Sequence, residues 1–231
     1  MHTIATDKDW VDSRRELLDA EKAFQAARDE LAAKRRALPW RTIRIDYVFE
    51  GESGRRSLND LFGEQSQLVI YHFMYHPDWD EGCKSCSFWA DSYDGMIPHL
   101  KARDVAFAVI SRGPLDKLLA YRKRMGWTFP WLSSAENSFN FDFWVSFSPE
   151  QIESGSACYN YRDDAAVGTE MPGLSVFAKD ENEDIFHTYS TYARGLDNLN
   201  PVYQVLDLVP KGRNEKGLPY PMDWVRRHDE Y

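Results

Sequence analysis

The spacing of apolar residues predicts one long helix over residues 9–38. Four apolar side chains recur there at every seventh position: Leu17, Phe24, Leu31 and Leu38. Such a repeat places one apolar stripe along a helix, which Asp7 or Asp9 is expected to cap and Pro39 to end. Two interpretations of the stripe stay open: it packs the helix on its own domain, or it joins two copies of the chain in a homodimer.

Strands are predicted where polar and apolar residues alternate, or where apolar residues continue without a break. Residues 43–49 alternate, which is typical of a half-buried strand. Residues 67–75 and 104–110 are almost entirely apolar or aromatic, as strands buried on both faces are. Residues 173–178 and 185–189 flank a polar turn, and this arrangement predicts an antiparallel hairpin.

Helices are predicted between and after these strands. One is expected over residues 83–102, with a kink at Pro98. A second is expected over residues 115–125, where Gly126 ends it. A third is expected around residues 196–208.

The order strand, helix, strand, helix, followed by a hairpin, predicts an α/β fold with a central mixed sheet flanked by helices. Residues 127–170 are expected to form loops and short helices. We expect three regions along the chain. They are a helical extension over 1–40, the α/β domain over 41–209, and an extended tail with several prolines and glycines over 210–231.

Composition narrows the function without identifying it. Of the 231 residues, 43% are hydrophobic, which is enough for a folded core, and the net charge is −9. This acidic balance argues against a nucleic-acid partner, which needs a basic surface. No stretch is apolar over the length of a signal peptide or of a membrane span of about 20 residues, so we expect a cytoplasmic protein without a membrane partner. Three cysteines are too few for a disulfide framework.

Two of the cysteines, Cys83 and Cys86, follow a predicted buried strand and begin a predicted helix. Backbone N–H groups at a helix N-terminus favour an anion, and a cysteine reacts as its thiolate. In this setting Cys83 is expected to attack a disulfide and Cys86 to resolve the mixed disulfide. The leading hypothesis is a thiol–disulfide oxidoreductase that uses no cofactor and acts on a protein or small-molecule disulfide or thiol.

Several phrases of the sequence resemble known redox families. Residues 68–77 with Gly82 and Cys83, and then residues 109–112 and 125–130, resemble the strand, proline loop and Gly-Cys pattern of peroxiredoxins. From end to end the chain is similar to the bacterial DUF899 family of thioredoxin-like proteins. The phrases that carry this second resemblance are RALPW at 36–40, YHFM at 71–74, PDWDEGC at 77–83, CSFWAD at 86–91 and HTYSTYARG at 187–195. The resemblance implies a thioredoxin-like fold and a dithiol–disulfide role.

Two details refine what the resemblance implies. Peroxiredoxins carry a Thr or Ser three residues ahead of the reactive cysteine, in a P-x-x-x-[TS]-x-x-C motif. Here Pro77 and Cys83 are one residue closer, with neither residue between them, which argues against the usual peroxidase chemistry. A thioredoxin-like fold also implies a cis-proline opposite the cysteines. Pro172 occupies that place and would shape the substrate groove; the other interpretation is an ordinary trans proline in a turn.

Two alternatives to the redox hypothesis stay open. With His72 and His76, the cysteines Cys83 and Cys86 make a Cys2His2 set of zinc or iron ligands, the basis of a metal-binding, non-redox module. The second alternative is a thioredoxin-like binding domain that carries out no chemistry.

Three further side chains are candidates for roles around the cysteines. Arg112 is a candidate to stabilise a thiolate or to bind an anion. Trp79, one of several tryptophans near the cysteines in sequence, is a candidate wall of an apolar substrate groove, although a tryptophan is more often part of a core. Cys158 is either a distal resolving thiol or a small buried hydrophobe.

Overall fold

A computed structural model describes residues 3–163, 165 and 168–231, and the chain divides into two compact units, Met1–Trp40 and Arg41–Tyr231. The first unit contains helix α1 (Asp7–Arg36), which confirms the predicted long helix. The predicted caps are wrong, because both aspartates lie in the first turn and the hydroxyl of Thr6 accepts the N–H of Asp9 at 3.2 Å. No side chain of α1 is buried, and a homodimer through its apolar stripe stays a prediction.

Within the described residues, eight strands of the second unit form one sheet in the order β1-β8-β7-β4-β5-β6-β2-β3. The strands are β1 (Arg41–Thr42), β2 (Val48–Gly51), β3 (Gly54–Ser57), β4 (Gln67–His72), β5 (Val105–Ser111), β6 (Trp131–Ser133), β7 (Gly173–Lys179) and β8 (Ile185–Tyr192). The pairs β4–β5 and β5–β6 are parallel, and the other neighbours are antiparallel. The predicted mixed sheet of an α/β fold is therefore confirmed.

The remaining α-helices of the described residues are short. They are α2 (Lys84–Ala90), α3 (Tyr93–Lys101), α4 (Leu115–Arg124), α5 (Phe139–Asp142), α6 (Pro149–Ser154) and α7 (Pro201–Leu206). Three segments of 3₁₀ helix among the described residues cover Asn59–Leu61, Ala193–Leu199 and His228–Glu230.

The single helix predicted over 83–102 is wrong, because two helices, α2 and α3, replace it. They separate at Asp91 and Ser92, and Pro98 lies inside α3 instead of bending one long helix. The Ser92 hydroxyl donates to the carbonyl of Trp89 at 2.8 Å, and such a bond competes with helical backbone pairing. The Asp91 carboxylate accepts the indole N–H of Trp127 at 2.9 Å, which anchors the break to the neighbouring segment.

The strand predicted over 43–49 is also wrong in extent. β1 lies at one edge of the sheet beside β8, whereas β2 lies near the opposite edge between β6 and β3. Residues 43–47 run from the edge that carries β1 to the edge that carries β2, so they do not form a continuous strand with either one. Ile45 is 53% exposed, while Tyr47 and Phe49 are buried. The strand β6 lies within residues 127–170, for which the sequence predicts loops and short helices. Three residues are too few to show the alternation of a strand.

The sheet buries a different core on each face. The cysteine face is defined by Tyr71, Cys86, Trp89, Tyr121 and Trp131, and the helices α2, α3 and α4 contribute to it. The histidine face is defined by Ile70, His72, Phe139, Phe143 and Phe177. Successive residues of a strand point to opposite faces, so β4 divides its side chains between the two cores.

The end of the chain packs against the cysteine face. The helix expected around 196–208 is a 3₁₀ turn followed by α7, which begins where the Asn200 side chain accepts two backbone N–H groups. Within residues 210–231, expected to form an extended tail, Val225 is fully buried, and Met222 and Trp224 pack against the cysteine-face core. No described helix is both long and apolar enough to cross a membrane.

Candidate active site

Cys83 lies where the chain passes from β4 and the loop 73–82 into α2. It is the N-cap residue of that helix, as the sequence predicted. Gly82 permits this approach, because a Cβ at that position would lie 2.8 Å from the rings of Phe73 and Tyr121. The absence of a side chain at Gly82 thus allows the backbone that carries Cys83 to lie directly on the aromatic core.

Cys86 lies one helical turn later and is 2% exposed, whereas Cys83 is only half-buried. The backbone of Met74 contacts both residues. Its carbonyl accepts the N–H of Cys83 at 3.2 Å, and its N–H points at the sulfur of Cys86 at 3.5 Å. The two thiols therefore lie close to the same stretch of backbone, and Cys83 is the more accessible of the two.

The two thiols have opposite acidities. The hydrogen bond from the Cys86 thiol, together with the backbone N–H groups of Cys86 and Ser85 and the positive charge of Arg227, lowers the pKa of Cys83 to about 6, although burial opposes the shift. Burial, and then the neighbouring sulfur of Cys83, raise the pKa of Cys86 well above its ordinary value. The arrangement favours a thiolate on Cys83 and a proton on Cys86.

Arg227 supplies the cation of the site, and the sequence did not indicate it. Its guanidinium donates to the carbonyl of Gly82 at 2.9 Å and to the hydroxyl of Tyr121 at 2.7 Å, and it pairs with Glu81 at 2.9 Å. Arg112, the cation proposed from sequence, instead pairs with the buried carboxylate of Glu170 at 2.7 Å. Arg227 lies far along the chain from the cysteines, so no local motif pointed to it.

A cavity of about 710 Å³ opens beside the two sulfurs. Its walls include Cys83, Cys86, Trp89, Pro172, Leu196 and Met222. Pro172 therefore lies at the cysteines, as expected. Trp79 and Arg112 are not among the described residues that line the cavity, and Trp79 packs against the cysteine-face core.

The expectation of a cis-proline is wrong. The described residues contain no cis peptide bond, so the bond between Met171 and Pro172 is trans. The Pro172 carbonyl accepts the hydroxyl of Tyr159 at 2.7 Å, and the N–H of Met171 donates to the carbonyl of Val145 at 2.8 Å. Contacts on both sides thus hold the trans turn that leads into β7.

The Cys2His2 ligand set is wrong, because the sheet separates its members. His72 lies on the histidine face, where it hydrogen-bonds to the hydroxyl of Ser175 at 2.8 Å, opposite the face that carries the cysteines. His76 lies in the loop after β4 and accepts the N–H of Asp78 at 3.1 Å. Within the part of the chain that the structure describes, no three His, Cys, Asp or Glu side chains converge as metal ligands.

Cys158 is half-buried and not part of a disulfide. Burial, and then the neighbouring Asp163, raise the pKa of its thiol above the ordinary value, which makes it a poor nucleophile at neutral pH. A role for Cys158 as a distal resolving thiol stays a prediction.

Comparisons with known proteins identify the family of the chain and its fold. A family model described as "Bacterial protein of unknown function (DUF899)" matches residues 1–231. A comparison with curated protein sequences finds no match.

Solved structures of peroxiredoxins share the fold. A cysteine-to-serine mutant of Xanthomonas campestris peroxiredoxin Q matches with a TM-score of 0.51 at 12% identity, over 74% of this chain and 98% of that one. The bacterioferritin comigratory protein of the same organism, from trapped intermediate/ligand complex structures, matches with a TM-score of 0.50 at 12% identity and the same two coverages. At this identity the likeness concerns the fold, and it confirms the predicted thioredoxin-like architecture.

Proposed function

This chain belongs to the DUF899 family of bacterial proteins, and from that premise we propose that it is a thiol–disulfide oxidoreductase with Cys83 and Cys86 as its dithiol. The observation that carries the proposal is the position of the half-buried Cys83 at the start of α2, with the buried Cys86 one helical turn later against the same Met74 backbone. It prepares one thiolate for attack and keeps the second thiol within reach of the bond that the first one forms.

The reaction proceeds in two exchanges. The Cys83 thiolate attacks one sulfur of a substrate disulfide, forms a mixed disulfide with it, and releases the other half as a thiolate. Cys86 then loses its proton to that departing thiolate or to solvent and attacks the sulfur of Cys83. The substrate leaves as two thiols, two electrons richer, and a Cys83–Cys86 disulfide remains. An external dithiol reductant returns the enzyme to its starting state, which suits a cytoplasmic location.

Other residues around Cys83 and Cys86 have roles in the proposed reaction. Arg227 stabilises the Cys83 thiolate through its charge and holds the Gly82 carbonyl in place. Pro172 and Trp89 line the cavity in which the substrate disulfide meets Cys83. Since Cys86 is buried and its pKa is raised, its thiol does not attack the substrate disulfide first, and Cys83 carries out the first exchange.

Peroxide reduction is the nearest competing chemistry, since the similar structures include peroxiredoxins. In that reaction the thiolate of Cys83 would take one oxygen from the peroxide as a sulfenic acid, and Cys86 would release it as water. The loop between Pro77 and Cys83 contains no Ser or Thr that would position a peroxide. This observation favours disulfide exchange.

The test is mass spectrometry of the reduced protein after reaction with a small disulfide, in a background with Cys158→Ser. The wild-type pair should lose two hydrogens and keep no adduct, because Cys86 expels the substrate thiol. Cys86→Ser should stop at the mixed disulfide on Cys83, and Cys83→Ser should form no adduct.

A second arm of the same experiment separates the two chemistries. Hydrogen peroxide, at the same concentration, should oxidise Cys83 no faster than an ordinary thiolate of similar pKa. The proposal is overturned if Cys86→Ser and the wild type accumulate the same mixed disulfide. A rapid peroxide reaction with a slow disulfide reaction would instead establish a peroxidase.

A further inference from the structure

The cavity beside the cysteines changes character with depth. Next to the sulfurs its walls are buried and largely apolar: Tyr71, Trp89, Leu196 and Tyr203 are each no more than 5% exposed. Farther out, its lining includes charged side chains such as Arg194 and Asp207, whose exposed fractions are 88% and 49%. A ligand group that reaches Cys83 therefore leaves water for an apolar surface.

Most charges of the lining are already engaged with one another. The guanidinium of Arg213 pairs with Asp197 and with Asp207, each at 2.8 Å, and its Cζ atom lies 3.9 Å from the centroid of the Tyr203 ring. Arg194, at the exposed rim, pairs with Asp197 at 3.3 Å. Among the described lining residues, both arginines are thus paired with carboxylates, which disfavours an anionic substrate.

Glu215 is the remaining charged wall residue, and three neutral donors satisfy it. One carboxylate oxygen accepts the Tyr203 hydroxyl at 2.8 Å, the Trp224 indole N–H at 2.9 Å and the Met222 N–H at 3.0 Å. These bonds tie Glu215 to the segment that carries Met222, a wall residue of the cavity. The carboxylate therefore shapes the wall and does not serve as a counter-ion for substrate.

The size of the cavity suits a small organic molecule. Its volume of about 710 Å³ lies within the range of about 300–1,000 Å³ in which proteins enclose ligands of drug size. A disulfide on a folded protein surface would leave most of this apolar volume unfilled. Cavity volume and wall chemistry thus select for a substrate that carries its own apolar body.

We propose that the substrate of the Cys83–Cys86 dithiol is a small-molecule disulfide with an uncharged apolar arm, which enters the cavity and lies against Trp89, Leu196 and Met222. This inference rests on the proposed oxidoreductase function and specifies its substrate class. Cys83 attacks the sulfur that bears the apolar arm, the other half of the disulfide leaves as a thiolate, and Cys86 then releases the arm as a thiol.

The cavity can be tested without turnover. Alkyl methanethiosulfonates of increasing chain length transfer their alkylthio group to a thiolate, which gives a mixed disulfide and methanesulfinate. In Cys86→Ser with Cys158→Ser, the rate of this reaction at Cys83, divided by the rate with free N-acetylcysteine, should rise from methyl to hexyl. Burial of each methylene in an apolar wall should contribute about fourfold.

Wall variants locate the effect in the cavity. Met222→Trp, which fills the cavity, should abolish the dependence on chain length, and Met222→Ala should keep it and extend it to longer chains. Leu208→Trp is the matched control, since Leu208 is 83% exposed and is not among the described lining residues. It should behave as the parent, and thermal melting shows whether each variant is folded.

Different results would contradict the apolar substrate class and the oxidoreductase function. Equal rates for methyl and hexyl reagents, or faster reaction with glutathione disulfide or with insulin than with a dialkyl disulfide, would overturn the apolar substrate class. If the chain-length dependence holds but wild-type protein never forms a Cys83–Cys86 disulfide, the cavity assignment stands and the oxidoreductase proposal fails.

Discussion

Two pairs of titratable groups, each with one buried and one half-buried member, occupy opposite faces of one sheet. On the cysteine face, Cys83 and Cys86 contact a cavity. On the histidine face, His72 and His187 are joined by the hydroxyls of Ser175 and Ser190, through hydrogen bonds of 2.7–2.8 Å. This second chain of groups is enclosed by the aromatic rings of Phe139, Phe143 and Phe177.

The difference between the faces lies in which charge state each one stabilises. Burial lowers the pKa of His72 to about 3 and that of His187 to about 4, so both remain neutral at physiological pH. Burial acts on Cys83 as well, but thiol and backbone donors directed at its sulfur reverse the effect and lower its pKa. A buried group becomes a reactive ion only where preorganised donors replace the lost water.

The largest expected effect comes from removing the nucleophile. Cys83→Ser should reduce disulfide turnover by at least about a thousandfold, because the hydroxyl is not ionised at neutral pH and the pKa values of the remaining thiols, Cys86 and Cys158, are both raised. Ser175→Ala, on the histidine face, should leave the rate per folded molecule nearly unchanged. Turnover measured with a dialkyl disulfide checks both, and a strong loss in Ser175→Ala would show that the two faces are not independent.

The next effect concerns stability in acid. Between pH 6.5 and about 3 the unfolded chain binds a proton at residue 72 that the folded chain excludes, so stability falls as the pH drops through this range. The slope from His72 approaches about 1.4 kcal/mol per pH unit. Urea unfolding at pH 7 and pH 5 should show a smaller difference for His72→Gln than for the wild type. His99→Gln, an exposed histidine, is the control, and equal slopes in all three proteins would contradict the prediction.

A moderate effect is expected from the close packing under the cysteine loop. Gly82→Ala should lower the free energy of unfolding by about 1–3 kcal/mol, because its Cβ would overlap the rings of Phe73 and Tyr121. Gly95→Ala is the matched control: outside the adjacent helix backbone nothing lies within 4 Å of its Cβ position, in the first turn of α3, and alanine should stabilise that helix by up to about 0.5–1 kcal/mol. Denaturant titration measures both, and similar effects of the two variants would refute the packing argument.

The smallest expected effect concerns the pKa of Cys83 and its dependence on the charge of Arg227. The rate of Cys83 alkylation by iodoacetamide should fall as the pH drops through about 6, since only the thiolate reacts. Arg227→Gln should move this midpoint upward by about half a pH unit to one unit, because a nearby positive charge is lost. Arg124→Gln removes another cation that pairs with Glu81 and should leave the midpoint in place. If both variants move it equally, Glu81 and the loop, not the charge of Arg227, determine the pKa.

Features that depend on neighbouring residues were predictable. The apolar runs of β4 and β5, the hairpin of β7 and β8, and the start of α4 after Pro114 are all present. Cys83 begins α2 as expected, because a buried strand, a polar loop with glycine and a helix follow one another directly in the chain. The thioredoxin-like fold followed from these local patterns and from a resemblance that covers the whole chain.

Features that depend on distant residues were not predictable. The alternation of 43–49 gave no sign that β1 and β2 belong to opposite edges of the sheet. The spacing of His72 and His76 suggested convergence with the cysteines, but the first lies across the sheet from them. Arg227 reaches Gly82 only because the end of the chain packs on the cysteine face.

A short stretch of chain was enough to predict that Cys83 and Cys86 follow a buried strand and that Cys83 begins the next helix. Contacts between distant parts of the chain determine which charge lies beside Cys83, that Pro172 is trans, and that an apolar cavity adjoins the two cysteines. Those properties arise where β4, β7, α7 and the final segment meet. The physical reason is that solvation and electrostatics depend on distance in space, whereas patterns in a sequence report distance along the chain.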